Sequence, residues 1–262
     1  MKFQVISDIH LEFYTSNLWK LVKQIKITGD NLILAGDIGY PEKTIFTDFL
    51  HYVHQKYKKV FLVSGNHEYY QHWKREGYKT VEEIDNIIEQ QVSKYNNIFY
   101  LNNSFHDFED NGKKYRILGS TLWFYPENND KIISDYHNVY INRDNHLSNI
   151  DNNYIEEKWK KSQLFIKENI HPEFNNIVIT HHLPSYKLIS YKYLDDKYKK
   201  YNFYFASNCE DLIKHPIKFW ISGHSHSFVE KNINGVKCII NAFGYPMESI
   251  TLETKLDYSF IL

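Results

Sequence analysis

Short apolar runs, each about as long as one buried strand, recur along this 262-residue chain and constrain its fold more than any other feature. In the first hundred residues they alternate with longer segments of helical periodicity, near 17–27, 42–57 and 78–94. Such alternation is typical of parallel βαβ units, in which a helix crosses between neighbouring strands. The pattern predicts an α/β fold.

The middle of the chain changes character. Residues 105–108 and 115–118 form short runs, and Asn111-Gly112 between them is typical of a β-hairpin turn. Residues 123–149 are irregular, and stretches of that length are usually functional. The remaining predicted elements are a short run at 98–101, a helix near 153–168, a strand ending at His181, a short helix near 208–214, a strand ending at Ile221, and two closing strands joined at Asn234-Gly235.

The composition indicates one globular domain over residues 1–262. Hydrophobic residues make up 42% and aromatic residues 17%, enough to bury a substantial core, and no Pro-, Gly- or Ser-rich linker divides the chain. Lys plus Arg (31) nearly balance Asp plus Glu (32), so no global basic field favours sequence-independent binding of nucleic acid. A local basic patch is compatible with this balance.

Cysteine usage and the chain start bear on the cellular compartment. Cys209 and Cys238 are too few for a disulfide framework and are expected to be free, buried thiols. The chain runs from Met1 directly into the first predicted strand, without a signal peptide, and no apolar run reaches membrane-spanning length. A cytoplasmic protein without a membrane segment is expected.

Side chains that can bind metal follow five of the predicted strands. They are Asp8 and His10, Asp37, Asn66, His181, and His224 and His226. Residues two apart in an extended segment point to the same side, so Asp8 and His10 can reach one metal together. Carboxylates and imidazoles gathered at strand ends are what a pair of borderline divalent metals requires. The sequence therefore predicts a metal site at the strand ends.

The order of these motifs resembles that of the calcineurin-like metallophosphoesterase superfamily. The motifs stand here as Asp8-Ile9-His10, Gly36-Asp37, Gly65-Asn66-His67-Glu68, His181, and Gly223-His224-Ser225-His226, and they cover almost the whole chain. The resemblance implies a four-layer α-β-β-α sandwich of two mixed sheets flanked by helices. The motif loops would lie together at one edge of that sandwich.

The resemblance also implies a role for each ligand. Asp8, His10 and His226 would hold one metal, and Asn66, His181 and His224 a second. Asp37 would bridge them, since a carboxylate can span metals about 3.5–4 Å apart. Four histidine ligands favour Mn, Fe or Zn over Mg or Ca, so the expected cofactor is two divalent or mixed-valence ions of these metals.

His67 occupies the family's non-ligand histidine position. From there it would stabilise the transition state and protonate the leaving oxygen, for which the pKa of histidine is suited. The resemblance implies that a metal-bridging hydroxide attacks a phosphomonoester or phosphodiester in line, without a covalent intermediate. The expected partner is a small-molecule phosphate ester.

Two ambiguities concern possible ligands. His182 adjoins His181, and the Val178-Ile179-Thr180-His181 segment fits the family's form, which favours His181 as the ligand and leaves His182 a supporting or structural role. Tyr40 stands where the purple acid phosphatases of this superfamily have a metal-binding tyrosine. Those enzymes lack a histidine at the position of His10, so a phenolate ligand is not expected here.

The candidates for substrate binding are Trp123, Asp135, His182 and Tyr40. Trp123 and Asp135 lie in segments similar to those of small, mostly bacterial-type metallophosphoesterases with poorly defined substrates. They could line the substrate cleft, or they could be a core tryptophan and a turn aspartate.

Residues 186–204 interleave tyrosines with lysines. Such a segment can grip a nucleotide or single-stranded nucleic acid, or it can form a surface helix whose tyrosines pack inward; the helix is favoured. Alternatives to a small-molecule phosphoesterase are a nuclease or cyclic-nucleotide phosphodiesterase, a non-catalytic protein-interaction scaffold, and a mononuclear hydrolase of another fold. Oligomeric state is left open.

Overall fold

The computed structural model describes residues 1–14, 18–248 and 257–262. The strands are Lys2–Ile6 (β1), Asn31–Ala35 (β2), Lys59–Val63 (β3), Ile98–Tyr100 (β4), Ser104–Asp110 (β5), Lys113–Ser120 (β6), Tyr140–Arg143 (β7), His146–Asn149 (β8), Asn175–Thr180 (β9), Ile217–Ser222 (β10), Phe228–Ile233 (β11), Val236–Asn241 (β12) and Ser259–Ile261 (β13). The α-helices are Leu18–Val22 (α1), Thr44–Lys56 (α2), Val81–Val92 (α3), Asp135–Asn138 (α4), Asn152–Asn169 (α5) and Asp196–Lys199 (α6). Short 3-10 helices span Leu11–Tyr14, His67–Tyr69, Tyr186–Leu188, Tyr191–Tyr193 and Asn202–Tyr204.

Two mixed sheets form the centre of the fold. The first has the order β13-β1-β2-β3-β4, in which β1 to β4 are parallel and β13 runs antiparallel to β1. The second has the order β11-β12-β10-β9-β6-β5, with a parallel centre and an antiparallel strand at each edge. Strands β7 and β8 form a separate two-stranded sheet. In both large sheets the parallel strands bring their carboxyl ends to a common edge.

Alternation of side chains along each strand produces the layers. On β1, Phe3 packs between the two sheets, whereas Ile6 faces the opposite way, toward the helices. Phe49 of α2 and Ile88 of α3 cover that outer face of the first sheet. Ile166 of α5 packs on the outer face of the second sheet. The predicted α-β-β-α sandwich is confirmed.

The long helices begin at caps that their sequences encode. Thr80 precedes α3, and its side chain accepts from the backbone N–H of Glu83 while the Glu83 carboxylate accepts from the backbone N–H of Thr80. Asp151 precedes α5 and accepts from the backbone N–H of Tyr154 at 3.0 Å. These bonds satisfy backbone donors that have no partner inside the helix.

Most predicted elements are present. The helices predicted near 42–57, 78–94 and 153–168 are α2, α3 and α5. Both Asn-Gly pairs form hairpin turns with two successive left-handed residues, as a type I′ turn requires. Cys209 and Cys238 are buried and free. No helix in the described ranges is long and apolar enough to cross a membrane.

Two predictions about the middle and late segments are wrong. The short helix predicted near 208–214 is a series of turns, which bury Leu212 and Ile213 without a continuous helix. The stretch 123–149, predicted to be irregular, contains α4 and the β7–β8 hairpin. The two strands of that hairpin are mostly exposed, so no apolar alternation in the sequence reveals them.

Two other helices differ from the prediction in extent. The helix predicted near 17–27 is α1, which ends at Val22, and its predicted start at residue 17 lies outside the described residues. The surface helix predicted over 186–204 is divided into four short turns. Ser185 and Asp195 each accept from a backbone N–H two residues later, and these side-chain caps start new turns instead of extending one helix.

Candidate metal centre

The predicted metal-binding side chains meet at the edge where the parallel strands of both sheets end. Asp8 and His10 follow β1, Asp37 follows β2, Asn66 follows β3, His181 follows β9, and His224 and His226 follow β10. All except the partly exposed His224 are buried. The sandwich therefore brings residues from five separate parts of the chain to one place.

The backbone is left-handed at five of these positions. They are Asp8 (φ 54°), His10 (φ 51°), Asp37 (φ 53°), His224 (φ 68°) and His226 (φ 41°). Non-glycine residues in this region cost roughly 1–3 kcal/mol each and persist only where the surroundings hold them. Here the His10 N–H donates to the Asp37 carbonyl at 3.0 Å, and the His224 N–H donates to the Asp8 carboxylate at 2.9 Å. Such strain is typical of functional sites.

Glycines allow the ligand loops to approach one another. A Cβ at Gly65 would collide with Oδ1 of Asp37, and one at Gly36 would collide with the ring of His181. Gly36 also has φ +85°, a conformation that other residues adopt at a cost. The glycines of the motifs are therefore required by the close packing of the site.

One group of predicted ligands consists of Asp8, His10 and His226. The Nε2 atoms of His10 and His226 lie 3.0 Å apart, and His226 Nε2 lies 3.5 Å from Oδ1 of Asp8. Behind them, His10 Nδ1 lies 3.1 Å from Oε1 of Glu12, and His226 Nδ1 lies 2.6 Å from Oε2 of Glu248. Because a carboxylate only accepts, both rings are set to donate Nδ1–H to their carboxylates.

That arrangement fits a metal ion. With both Nδ1 atoms protonated, the neutral rings of His10 and His226 present Nε2 lone pairs to each other. Burial lowers the pKa of His10, which favours its neutral, ligating form. Two converging lone pairs beside the Asp8 carboxylate repel one another unless a positive charge lies between them. Imidazoles oriented by carboxylates are the usual form of histidine metal ligands.

The second group consists of Asn66, His181 and His224, with Asp37 beside them. Nδ1 of His181 lies 2.9 Å from the carbonyl oxygen of Ala35, so that nitrogen donates. Nε2 of His181 then faces three groups, Oδ1 of Asn66 at 3.1 Å, Nδ1 of His224 at 3.1 Å and Oδ2 of Asp37 at 3.3 Å. Burial lowers the pKa of His181, but Asp37 outweighs burial and raises it to about 10. The position therefore attracts positive charge.

Asp37 lies between the two groups. Its Oδ2 is 3.3 Å from Nε2 of His181 and 3.9 Å from Nε2 of His10, and its Oδ1 accepts from the backbone N–H of His67 at 2.8 Å. Buried Glu68 braces this region by accepting from the backbone N–H groups of Asp37, Ile38 and Gly65 at 2.7–3.0 Å. The Glu68 carboxylate thus holds the loops after β2 and β3 together.

His67 lies next to the predicted ligands, but its ring nitrogens point to other residues. Its Nδ1 lies 3.2 Å from Oε1 of Glu12, and its Nε2 lies 3.3 Å from the hydroxyl of Tyr245. Burial lowers the pKa of His67, but Asp37 and Glu12 outweigh burial and raise it to about 9. The ring also stacks on Tyr70 at 4.3 Å between centroids. His67 is therefore held in place and can carry a proton.

A cleft of about 610 Å³ opens over the centre. His67, His224 and His226 form part of its floor. The walls are mainly aromatic, with Phe13, Tyr70, Tyr193, Tyr204, Phe205 and Tyr245. Two of these, Tyr193 and Tyr204, come from the 186–204 segment, so that segment contributes to the cleft although it is not a continuous helix.

The four candidate substrate-binding residues, Tyr40, Asp135, Trp123 and His182, do not all lie at the cleft. Tyr40 and Asp135 line the cleft, and burial raises the pKa of Asp135 to about 6. Trp123 does not line it: the ring is buried and stacks on Tyr69 and His182. The interpretation of Trp123 as a cleft residue is therefore corrected to that of a core residue, whose ring packs against Tyr69 and His182.

His182 also lies outside the cleft. Its Nδ1 faces the carbonyl oxygen of Thr121 at 3.3 Å, its Nε2 has no hydrogen-bond partner among the described residues, and its ring lies 4.3 Å from that of His224. Burial and the neighbouring His181 lower the pKa of His182 to about 3. His182 thus packs against the ring of His224, and it is the ring of His181 that lies beside Asn66 and His224.

Sequence reasoning missed the residues that hold the ligands. Glu12, Glu248 and Tyr245 contact site histidines but belong to no motif. The one available signal was the spacing of Glu12, two residues after His10. For Glu248 the contact with His226 depends on the chain's return after β12, which no local pattern reveals.

Comparison with known proteins identifies a family and a fold. The family model described as calcineurin-like phosphoesterase matches residues 1–228. An uncharacterised protein of Acanthamoeba polyphaga mimivirus is 27% identical over 267 residues, covering 93% of this chain and 91% of that protein. The crystal structure of phosphopantetheinyl hydrolase (PptH) from Mycobacterium tuberculosis is similar with a TM-score of 0.70 at 16% identity, covering 94% of this chain and 90% of that one. At that identity the likeness concerns the fold.

Proposed function

Because the chain belongs to the calcineurin-like phosphoesterase family, we propose that it hydrolyses a phosphate ester with two bound metal ions. The observation that carries this proposal is the position of Asp37. A single oxygen of this residue faces His10 of one ligand group at 3.9 Å and His181 of the other at 3.3 Å. A carboxylate placed between two histidine clusters is suited to bridge two cations.

The donor set supports Mn, Fe or Zn. Four imidazoles, two carboxylates and one amide oxygen converge, and this mixture favours borderline transition metals over Mg or Ca. When bound, two such ions supply a water of lowered pKa as the nucleophile and neutralise charge on the phosphoryl group. The amide of Asn66 adds no negative charge, which keeps the site attractive to an anionic ester.

His67 is the proposed proton donor to the leaving oxygen. Its Nδ1 is engaged by Glu12, so Nε2 is the nitrogen directed to the cleft, where Tyr245 lies 3.3 Å away. A positioned general acid typically contributes about 10²–10⁴-fold to the rate. In this scheme His67 acts on the substrate and binds no metal.

A phosphodiester is the preferred substrate class. None of the described residues that line the cleft is Lys or Arg, and buried Asp135 lies among them. A dianionic phosphomonoester would need more positive charge than a diester, which carries one negative charge. The aromatic walls suit an ester whose organic groups are flat or apolar.

The nuclease alternative receives less support. Lys187 of the 186–204 segment pairs with Glu210, and Lys192 donates to the backbone carbonyl of His226, so these lysines bind protein groups. The scaffold alternative is weaker still, since all seven proposed ligands and His67 are present and grouped.

The test combines metal analysis with turnover. Protein loaded with Mn or Zn should contain two metals per chain and hydrolyse bis(p-nitrophenyl) phosphate faster than p-nitrophenyl phosphate. Single-stranded DNA serves as the nuclease comparison, and the exposed His146→Ala variant is the matched control for histidine substitutions. Two bound metals without turnover of any ester would reject the proposed hydrolase.

A further inference from the structure

We infer that Glu12 is a positioning residue that serves both halves of the site through one oxygen atom, holding His10 for metal binding and His67 for proton donation. This inference rests on the function proposed above. It adds a residue that lies outside the five sequence motifs.

The contacts of Glu12 are shared between two rings. Its Oε1 lies 3.1 Å from Nδ1 of His10 and 3.2 Å from Nδ1 of His67. The two rings meet edge to face, with centroids 4.4 Å apart and planes at 73°. The Glu12 side chain is only 6% exposed, so water does not compete for this oxygen. One buried acceptor thus contacts two imidazoles at once.

This sharing determines the tautomer of both rings. A carboxylate has no proton to give, so each histidine must donate its Nδ1–H to it. For His10 the consequence is an Nε2 lone pair directed at His226 and Asp37. For His67 the consequence is that Nε2 becomes the nitrogen available to the cleft. Without Glu12, each neutral ring could place its proton on either nitrogen.

Backbone contacts fix the position of Glu12 beside the rings of His10 and His67. It lies on the 3-10 helix Leu11–Tyr14, and the Leu11 N–H donates to the carbonyl of Ile38 at 2.8 Å. Gly39 permits this contact, because a Cβ there would come within 2.7 Å of the Leu11 Cβ. The loop after β2, which carries Asp37, therefore also supports Glu12.

Glu248 provides the contrast that separates the two roles. Its Oε2 accepts from Nδ1 of His226 at 2.6 Å, and among the contacts described for His67 none is with Glu248. Glu248 Oε2 also accepts from the backbone N–H of Tyr245 at 3.0 Å, but its described contacts include no ring atom of His67. Glu248 therefore contacts a proposed ligand directly, whereas Glu12 contacts a proposed ligand and the proposed proton donor. Comparing the two carboxylates distinguishes a metal effect from a proton-transfer effect.

The experiment uses Glu12→Leu, which removes the acceptor at similar volume, with Glu248→Leu as the matched control. Ring-nitrogen NMR of the metal-free protein, recorded at alkaline pH so that the rings of His10 and His67 are both neutral, reports the tautomer of each ring whatever the enzyme's activity. Wild type should show Nδ1-protonated His10 and His67, Glu12→Leu should lose that preference in both, and Glu248→Leu should leave His67 unchanged. An unchanged His67 tautomer in Glu12→Leu would overturn the inference.

Turnover at saturating metal gives a second readout. Glu12→Leu should lose about 10²-fold or more on a diester with an alkoxide leaving group, and much less on the p-nitrophenyl diester, whose leaving group needs no proton. Equal losses on both esters would show that Glu12 acts only through the metal ligand. If wild type hydrolyses neither ester, the proposed function fails, while the NMR result still decides the role of Glu12.

A second variant guards against misfolding of Glu12→Leu. Glu12→Gln keeps a neutral acceptor oxygen, so it should preserve both tautomers and show a smaller, leaving-group-dependent loss. A loss in Glu12→Gln that is larger on the p-nitrophenyl ester than on the alkyl ester would contradict the assigned role.

Discussion

The Nε2 atoms of His10 and His226 lie 3.0 Å apart although 216 residues separate them in the chain. Each ring is held from behind by a carboxylate, so the two nitrogens converge as lone pairs on a common point. Metal binding to this pair should therefore be coupled to the stability of the whole sandwich, because the two histidines follow strands of different sheets.

Removing metal should destabilise the folded protein. A ligand that binds only the folded state at 100 times its Kd contributes about 2.7 kcal/mol, which corresponds to roughly 5–10 °C at about 2–4 °C per kcal/mol for a protein near this size. We expect EDTA to lower Tm by that amount and Mn or Zn to restore it, as followed by thermal unfolding. An unchanged Tm would argue against tight metal binding.

His67→Ala should retain both metals and lose turnover. The ring is beside the ligand groups but contacts Glu12 and Tyr245 instead of the converging nitrogens. On a diester with an alkoxide leaving group we expect a loss of about 10²–10⁴-fold in kcat, with metal content unchanged by elemental analysis and His146→Ala behaving like wild type. Loss of metal in His67→Ala would show that its assigned role is wrong.

The adjacent histidines should respond in opposite ways. His181→Ala removes a ring whose Nε2 faces Asn66 and His224, so we expect loss of bound metal and of nearly all turnover. His182→Ala removes a buried ring outside the cleft and should cost about 2–4 kcal/mol of stability by leaving a cavity. Metal analysis and urea unfolding of both variants separate the effects; metal loss in His182→Ala alone would reverse the assignment.

Gly36 and Gly77 form a matched pair of left-handed glycines. Both have positive φ (85° and 66°), so alanine at either should cost roughly 1–2 kcal/mol in backbone conformation. At Gly36 the added Cβ also collides with His181, whereas at Gly77 it meets nothing within 4 Å. We expect Gly36→Ala to lose metal and activity, and Gly77→Ala to lose only stability. Equal activities would mean that the loop can shift without harm.

Asp151 should stabilise the protein in a pH-dependent manner. Arg143 pairs with it, and the Tyr154 N–H bonds to it, which together lower the pKa of Asp151 below the usual 3.8 despite partial burial. The folded protein therefore binds this proton less readily than the unfolded chain. The contribution is complete above the ordinary aspartate pKa and is lost as pH falls through the lowered pKa of the folded state.

Urea unfolding of Asp151→Ala tests that expectation. At neutral pH the substitution should cost about 1 kcal/mol through loss of the α5 cap. In strong acid the difference from wild type should shrink. Asp151→Asn keeps a capping oxygen and should be milder at neutral pH; a difference that is constant with pH would contradict the assigned origin.

The strands that carry the site could be predicted because burial imposes a simple pattern. Parallel strands covered on both faces read as apolar runs, and β2, β3, β9 and β10 each contain such a run, whereas the run in β1 is interrupted only by Gln4. The exposed β7–β8 hairpin has no such pattern and was not predicted. The helix predicted near 208–214 was wrong because turns bury Leu212 and Ile213 as completely as a helix would.

By itself the sequence determined the fold class and which strand ends bear candidate metal-binding side chains, since both follow from local residue order. Only the tertiary structure decided which histidine of the His181–His182 pair turns toward the ligands, that Trp123 packs in the core, and that Glu12 serves two rings. Glu12 and His67 lie 55 residues apart, and their contact depends on how the loops of two strands pack. Contacts of that kind leave no periodic trace in the chain, because they are set by distance in space and not by spacing in sequence.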